Sequence, residues 1–378
     1  MRFSNIIGQE HLKSHLMSTI DRGRIAHAQL FVGPEGSGSL PLAIAYAQHI
    51  ICHESNDPVT SNNKCDALMH PDLHFVFPVT NSDKVKSHAV SDHYIDEWRQ
   101  FVKEQPYGNL FDWYRLIGIE KKQGQIGVDE AQEMVKKLSL KSYEGGYKAM
   151  VVWMAEKLNT SAANKLLKLI EEPPEKTVLI LIAEDETQLI KTIRSRCQTL
   201  RLPPLPESEI VNALLAKKVP DGEAYSIAHQ ANGNFNLALD LLQNDAEDLF
   251  FEKWFVQWVR SAFKAKGNKG AIHELILWSD EVSKTGRETQ KKFLDFCSRI
   301  IRQALFINYG VNDLVFFKVH IEGFQLEKFA PFVHENNVQA ITDELEKAAY
   351  HIERNGNAKI IFTDLSIKLT RLLHRKAA

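Results

Sequence analysis

The chain has 378 residues, of which 44% are hydrophobic and 25% charged, the proportions of a folded protein with substantial cores. This length predicts two or three domains. The formal net charge of −2 excludes a wholly basic nucleic-acid-binding protein, so any DNA contact must come from a local patch or from a partner subunit.

The first half of the chain alternates short apolar runs with helical segments. Apolar runs that indicate strands lie at 27–33, 70–79, 147–155 and 177–183, and a last one ends at the prolines 203, 204 and 206. Helical patterns follow the first run and cover 128–138. Continuous apolar strands alternating with helices predict a three-layer α/β domain around a parallel sheet, over residues 1–206.

Beyond residue 206 only helical patterns are present. Short helices are predicted over 207–246, and long, aromatic-rich helices over 247–378. The segment Thr80–Gly124 is polar and aromatic-rich, and it is interpreted as an insertion before the next strand of the sheet. Its role is not indicated by the sequence.

A glycine-rich loop follows the first predicted strand. Gly33, Gly36 and Gly38 in GPEGSGSL occupy the place of a phosphate-binding loop (Walker A), whose backbone N–H groups point at an anion. A working loop continues with a lysine for the phosphates and a hydroxyl residue for Mg²⁺. Here these positions are Ser39 and Leu40, so we expect a degenerate nucleotide site that does not bind ATP and Mg²⁺ productively. The glycines alone would also fit an ordinary strand–helix turn.

The second motif of a P-loop ATPase is altered as well. A Walker B strand ends in two acidic residues, whereas the strand in MVVWMAEKLN ends in Trp153 and Met154. Glu156 follows two residues late, where a capping or solvated carboxylate is the simpler interpretation. Both motifs therefore keep their places after a strand, but they lack the side chains that bind phosphate and Mg²⁺.

Four segments together resemble a known family. FSNIIGQEHLKSHL, AHAQLFVGPEGSGS, KLNTSAANKLLKLIEEPP and TIRSRCQTLRLPPL lie in this order over roughly the first 210 residues. They resemble the bacterial DNA polymerase III clamp loader subunits, gamma/tau and delta-prime, of the AAA+ class. Gamma/tau proteins keep the lysine and the acidic pair, and delta-prime proteins often do not, so the losses favour the delta-prime type.

The resemblance implies an AAA+ domain at 1–206, a helical lid at 207–246 and an oligomerising collar at 247–378. In this family ATP sites lie between neighbouring subunits of a ring, and each receives an arginine from the SRC motif of the adjacent subunit. That arginine is Arg196, the predicted arginine finger acting in trans. The alternative is that Arg196 only pairs with a surface carboxylate.

The implied function is that of a non-hydrolysing stator in the DNA polymerase III holoenzyme. The chain would assemble with gamma/tau and delta subunits to load the sliding clamp on primer-template DNA, without ATPase activity of its own. Asn236 and Leu237 stand where active relatives have a lid arginine, which agrees with this expectation. An active AAA+ ATPase with an unusual loop is the alternative; a P-loop kinase is disfavoured because its lysine and magnesium ligand are missing.

Two lysines are predicted to contact DNA. Lys165 and Lys168 lie on one face of the helix 161–170, opposite much of its apolar face. In the ring-shaped family the corresponding helix can face duplex DNA, where lysines would contact phosphates without reading sequence. A solvated basic face is the simpler alternative.

The cysteines are few and scattered. Family members usually carry a four-cysteine zinc module before the second strand, but here only Cys52 and Cys65 remain, with His53 and His70 nearby and no CxxC pair. We therefore expect no metal site. Because neither a disulfide framework, a signal peptide nor a membrane span is indicated, the expected compartment is the cytoplasm.

Overall fold

The computed structural model describes residues 1–243, 246–311, 314–315 and 321–376. These residues divide into two compact units, each taken by itself below. Unit 1 comprises Met1–Ile119 and Gln123–Leu242, and unit 2 comprises Glu120–Lys122 and the chain from Gln243 onward. In the described ranges, no helix is both long and apolar enough to cross a membrane.

Unit 1 is built on a five-stranded sheet in which the first strand lies inside. The order is β2-β3-β4-β1-β5, and every neighbouring pair is parallel. The strands are β1 (Ala28–Val32), β2 (Leu73–Val76), β3 (Lys148–Val152), β4 (Thr177–Ala183) and β5 (Gln198–Arg201). The helices of unit 1 are α1 (Glu10–Asp21), α2 (Ser39–His53), α3 (Pro58–Asp66), α4 (Ile95–Glu104), α5 (Leu110–Leu116), α6 (Val128–Ser139), α7 (Thr160–Glu171), α8 (Lys191–Arg194), α9 (Glu207–Ala216), α10 (Asp221–Ala231) and α11 (Phe235–Gln243).

The sheet is covered by helices on both faces. Along β4, Ile180 packs into a core with α2, α4 and α5, whereas its neighbour Leu181 packs into a second core with α6, α7 and α8. Successive strand residues point to opposite faces, so both must be apolar when both faces are covered. The predicted three-layer α/β domain with a parallel sheet is confirmed.

The predicted strands are present, but two of them are shorter than the apolar runs. The run at 70–79 yields only Leu73–Val76, between Pro71 and Pro78, because proline lacks the N–H that a strand interior requires. The run at 147–155 ends as a strand at Val152, and Met154 adopts a left-handed backbone conformation with φ 54°.

The segment predicted as an insertion, Thr80–Gly124, contains two helices whose aromatic side chains are buried. Trp98 of α4 and Trp113 of α5 are both fully buried, and their rings meet edge to face 5.4 Å apart. Phe77, just after β2, stacks on Trp98 at 4.3 Å. The aromatic composition of the insertion is therefore explained by a core that it builds against the sheet.

The last three helices of unit 1 share a small core of their own. Ile210, Leu214, Ile227 and Ala228 of α9 and α10 are buried together with Phe235 at the start of α11. The proposed boundary at 206 between a sheet domain and a lid domain falls inside unit 1, and it stays a prediction.

Unit 2 is helical in its described part. Two stacked tryptophans, Trp258 and Trp278, lie at its centre with ring centroids 5.2 Å apart, and Trp258 donates a hydrogen bond to Ser366 Oγ. Its helices are α12 (Ala246–Lys264), α13 (Lys269–Ser283), α14 (Arg287–Asn308), α15 (Leu326–Phe329), α16 (Glu335–Glu353) and α17 (Ala358–Leu373). The predicted all-helical second half of the chain is confirmed.

A buried carboxyl group joins α6 to the insertion. Glu130 is 2% exposed, and its Oε2 accepts hydrogen bonds from the backbone N–H and the hydroxyl of Ser91, at 2.6 and 2.9 Å. Burial raises the pKa of Glu130 to about 7, although the Ser91 hydrogen bonds act in the opposite direction. The protonated form is therefore the one that this position favours.

The pH dependence of stability follows from this raised pKa. The folded chain retains the Glu130 proton to about pH 7, whereas the unfolded chain loses it near its ordinary pKa of 4.5. The stabilising contribution is thus fully present below pH 4.5 and is lost as the pH rises through 7. We expect the free energy of unfolding of Glu130→Gln, relative to that of wild type, to rise by roughly 2 kcal/mol from pH 5 to pH 8, because only the wild type loses a buried proton. The measurement is denaturant unfolding at both pH values.

Glu133→Gln is the matched control, because Glu133 lies on the same helix with an exposed lysine partner. Its effect should be the same at both pH values. A Glu130→Gln difference that does not change with pH would contradict the assignment.

Candidate functional site

The glycine-rich loop lies between β1 and α2, at the edge of the sheet where the strands end. Gly36 and Gly38 have φ angles of 70° and 89°, a conformation that glycine adopts without strain. Ser37 N–H donates to the carbonyl of Pro34, which closes the turn. The loop thus has the backbone form of a phosphate-binding loop, directly before the amino terminus of a 15-residue helix.

Residues from both predicted motif positions come together around one small cavity. Its volume is about 20 Å³, enough for about one water molecule. Gly33 lies outside the lining and at the start of the loop. The lining residues include Gly36, Gly38, Ser39 and Leu40 from the loop and helix, Trp153 and Met154 after β3, and Ile182 and Glu184 at the end of β4.

At two of the predicted motif positions, 40 and 153, the side chains belong to the core. Leu40 is 3% exposed and packs in the same core as Trp153, which is 2% exposed. The ring of Trp153 lies 5.3 Å from that of Trp98 and 5.5 Å from that of Phe101, both on α4. Where an ATPase would place carboxylates, this chain therefore has an aromatic contact with its insertion.

Glu156, the late acidic residue, has a structural contact. It lies in a short 3-10 turn, Ala155–Lys157, and its Oε1 accepts the backbone N–H of Glu184 at 3.0 Å. Burial raises the pKa of Glu156. This carboxyl group joins the ends of β3 and β4, in agreement with the interpretation as a capping carboxylate.

Residues of the insertion line the loop, and no pattern in the sequence indicates this. Tyr107 and Gly108 contribute to the cavity wall, and Asn109 Nδ2 donates to Glu35 Oε1 at 3.0 Å. The Tyr107 hydroxyl accepts the backbone N–H of Ile7 at 2.8 Å. A contact across 74 positions, Glu35 to Asn109, leaves no periodic pattern that could have predicted it.

The amino terminus of α11 also contacts the loop. Phe235 N–H donates to the carbonyl of Gly36 at 3.2 Å, and Asn234 Nδ2 donates to Glu35 Oε1 at 3.1 Å. A Cβ on Gly36 would lie 2.0 Å from Asn234 Oδ1, so this position has room only for glycine. At the predicted lid position, Asn236 donates to Asp112 Oδ2 of the insertion at 3.0 Å.

Arg196 lies on the surface and is paired. Its Nε donates to Glu171 Oε1 at 2.6 Å, and its Nη1 donates to the carbonyl of Thr192 at 3.2 Å. Both members of the ion pair are about half exposed, so the pair contributes little to stability. The simpler alternative of a surface pair thus describes the contact made within this chain. In the described ranges, Nη2 has no hydrogen-bond partner.

The glycine loop and Arg196 lie at opposite edges of the sheet. β5 pairs with β1 in parallel, with Gln29 beside Gln198 and Val32 beside Arg201. Arg196 precedes the start of β5, whereas the loop follows the end of β1. At about 3.3 Å per residue, the paired strands alone separate them by about 10 Å.

Lys165 and Lys168 lie on the exposed face of α7, as predicted, while Leu166 and Ile170 are each 1% exposed on its buried face. Neither lysine takes part in an ion pair within the described part of the chain. The two side chains are therefore available for contact with an anionic surface.

Cys52 and Cys65, in the segment where family members usually carry a zinc module, form a thiol pair. Cys52 Sγ and Cys65 Sγ are buried and lie 4.0 Å apart. Among the residues that the structure describes, no group of three or more His, Cys, Asp or Glu side chains is placed to hold a metal.

A carboxylate joins the elements around this thiol pair. Glu144 accepts hydrogen bonds from Ser61 at 2.5 Å, Ser55 at 3.0 Å and Lys64 at 3.0 Å. These bonds, the one from Ser61 foremost, lower the pKa of Glu144 to about 2. Polar contacts thus connect α3 to the loop before β3.

The chain is similar in sequence to several DNA polymerase III subunits. DNA polymerase III subunit delta' of Bacillus subtilis (strain 168) is 30% identical over 241 residues, which are 63% of this chain and 60% of the relative. Subunit delta' of Yersinia pestis is 46% identical over 92 residues, 24% of this chain and 26% of the relative. Subunit tau of Bacillus subtilis is 22% identical over an alignment that spans 100% of this chain and 63% of the relative. The chain thus spans less than two thirds of these relatives.

A family model covers more than half of the chain. The family described as "DNA polymerase III, delta subunit" matches residues 8–206, which include the sheet, the glycine loop and Arg196. The predicted resemblance to the DNA polymerase III clamp loader proteins is confirmed by this match together with the delta' relatives. The chain belongs to the DNA polymerase III delta subunit family.

Proposed function

We propose that this chain is a non-hydrolysing subunit of a DNA polymerase III clamp loader that supplies Arg196 to the ATP site of a neighbouring subunit. The observation that carries this proposal is the position of Arg196, at the edge of the sheet opposite the chain's own glycine loop. An arginine so placed cannot reach its own loop. In a ring of such subunits, it would be available to the ATP site of the next molecule.

The contacts of Arg196 suit such a role. Glu171 holds Nε and the Thr192 carbonyl holds Nη1, which fixes the plane of the guanidinium group. The two N–H groups of Nη2 stay available for an incoming γ-phosphate. A planar, permanently charged group with several donors is the side chain best suited to stabilise the charge of phosphoryl transfer.

The chain's own loop does not fit a magnesium nucleotide. Ser39 stands where the loop would need a lysine for the phosphates, and Leu40 stands where it would need a hydroxyl group for the metal. The Glu35 carboxylate accepts two hydrogen bonds beside the loop and would repel phosphate. These features support a subunit that binds neither ATP nor Mg²⁺ productively.

The proposed partners are gamma/tau ATPase subunits and a delta subunit, with the helical unit 2 contributing to the ring. Through the complex, the chain would act on the sliding clamp and on primer-template DNA in the cytoplasm. The relatives named tau and gamma support this choice of neighbours. Lys165 and Lys168 would contact DNA phosphates, because they are exposed and free of ion pairs within the described part of the chain.

The arginine finger is tested with Arg196→Ala in a reconstituted complex of this chain with its gamma/tau and delta partners. We expect the complex to assemble, while ATP turnover at the neighbouring site falls about tenfold or more, because the transition-state charge loses its counter-charge. The measurement is single-turnover hydrolysis with DNA and clamp present.

Arg194→Ala is the matched control, since Arg194 lies two positions before Arg196, at the last residue of α8. It should leave hydrolysis unchanged. Normal turnover in the Arg196→Ala complex would overturn the finger assignment, and a slow Arg194→Ala complex would move it to the other arginine.

The alternative of an active ATPase with an unusual loop is tested on the purified chain. Titration calorimetry with Mg-ATP should give no saturable binding, and no phosphate should be released, because the loop lacks its lysine and metal ligand. A gamma/tau subunit in the same buffer is the positive control. Tight Mg-ATP binding by this chain would favour the alternative.

The DNA contact is tested by the salt dependence of complex binding to primer-template DNA. Lys165→Ala/Lys168→Ala should weaken binding of all sequences alike and reduce the slope of log K against log salt concentration by about one for each phosphate that is no longer neutralised. Lys136→Ala, which removes an exposed lysine paired with Glu133, is the control. An unchanged slope in the double variant would leave the lysines as a solvated face.

A further inference from the structure

Two separate segments of unit 1 contact the glycine loop near Glu35 and Gly36. They are the insertion, over Tyr107–Asp112, and the start of α11, over Asn234–Asn236. In P-loop proteins this is the side on which the nucleotide binds. Here side chains of the insertion and of the start of α11 contact this side of the loop.

Glu35 is the shared acceptor of this junction. Its Oε1 accepts Asn109 Nδ2 from the insertion at 3.0 Å and Asn234 Nδ2 from the start of α11 at 3.1 Å. One carboxylate oxygen therefore bridges two elements that are far apart in the sequence. Hydrogen bonds to a charged acceptor are about twice as strong as those between neutral groups.

An aromatic pair joins the insertion to α11 next to the glycine loop. Tyr107 of the insertion is 7% exposed and Phe235 of α11 is 3% exposed, and their rings meet edge to face at 5.0 Å. Burial raises the pKa of Tyr107 to about 12. The Tyr107 ring also lies against Gly38, where an added Cβ would come within 3.0 Å of it. The insertion thus contacts the loop and α11 at once.

A second hydrogen bond fixes the next residue of α11. Asn236, 5% exposed, donates to Asp112 Oδ2 at 3.0 Å, and the same oxygen accepts the backbone N–H of Asn109 at the start of α5. The hydrogen bond between Asn236 and Asp112 is therefore anchored in the first turn of α5 and not in a loop. Rigid supports of this kind hold a geometry without a ligand.

We propose that the Tyr107–Asp112 segment is an internal replacement for nucleotide that holds α9–α11 in one orientation against the glycine loop. Domains that close around ligands ordinarily reach the closed state through contacts with the ligand. In this chain the closing contacts come from the insertion and are present at all times. The inference rests on the proposed non-hydrolysing role and extends it: the subunit is fixed by its own insertion.

The orientation of the lid helices is measured by distances between two spin labels in the full chain. Lys136→Cys on α6 and Tyr225→Cys on α10 are exposed label positions within unit 1, in a Cys197→Ser background because the other three cysteines are buried. We expect one narrow distance distribution that does not change when Mg-ATP or Mg-ADP is added. A broad distribution that narrows with nucleotide would overturn the proposal.

Asn236→Asp is the opening variant, since it places a second carboxylate against Asp112 with no change in size. We expect a broader distance distribution and hydrogen exchange of the α11 amides about tenfold faster. The double variant Asn236→Asp/Asp112→Asn restores a donor and an acceptor and should return both readouts towards wild type.

Asn164→Asp is the matched control, because it adds the same charge at an exposed position of α7. Tyr107→Ala provides a second test by removing the aromatic contact. Tyr114→Ala controls for general destabilisation, because Tyr114 is another buried tyrosine of the insertion and donates to Gly124. Asn236→Asp and Tyr107→Ala chains that both keep the wild-type distribution would contradict the proposal. These readouts use the isolated chain, so they are independent of the Arg196 result.

Discussion

The parallel pairing of β1 with β4 and β5 is the constraint on which the proposed function depends. A parallel sheet places the ends of all its strands at one edge and their beginnings at the other. The glycine loop must then follow β1 at the first edge, and Arg196 must precede β5 at the second. The two groups are therefore independent of each other, and a change at the glycine loop leaves the placement of Arg196 unaltered.

The residues at the end of β3 are connected to the insertion by packing. An acidic pair at the end of β3 is tolerable in a buried site only with a metal or another counter-charge, because unpaired buried charges are costly. Trp153 and Met154 replace such a pair with apolar surface, which the aromatic residues of α4 then bury. The insertion and the altered strand end are thus two sides of a single core.

Much of the fold could be predicted because its signals are local. The runs that become β1 and β4 are continuously apolar, and the α7 pattern separates exposed Lys165 from buried Leu166. The sequence marked Gly36, Gly38, Ser39, Leu40, Trp153 and Met154 as motif positions, and the structure places these residues around one cavity. The contacts of Tyr107, Asn109 and Asn234 around Glu35 could not be predicted, because they join segments up to 199 positions apart through single side chains that follow no period.

The close approach of Asn234 to Gly36 has a consequence for how this chain can vary. A Cβ at position 36 would lie 2.0 Å from Asn234 Oδ1, so any other residue there would force the start of α11 away from the loop. Position 36 and the start of α11 can therefore vary only together, and a substitution in one requires a compensating change in the other.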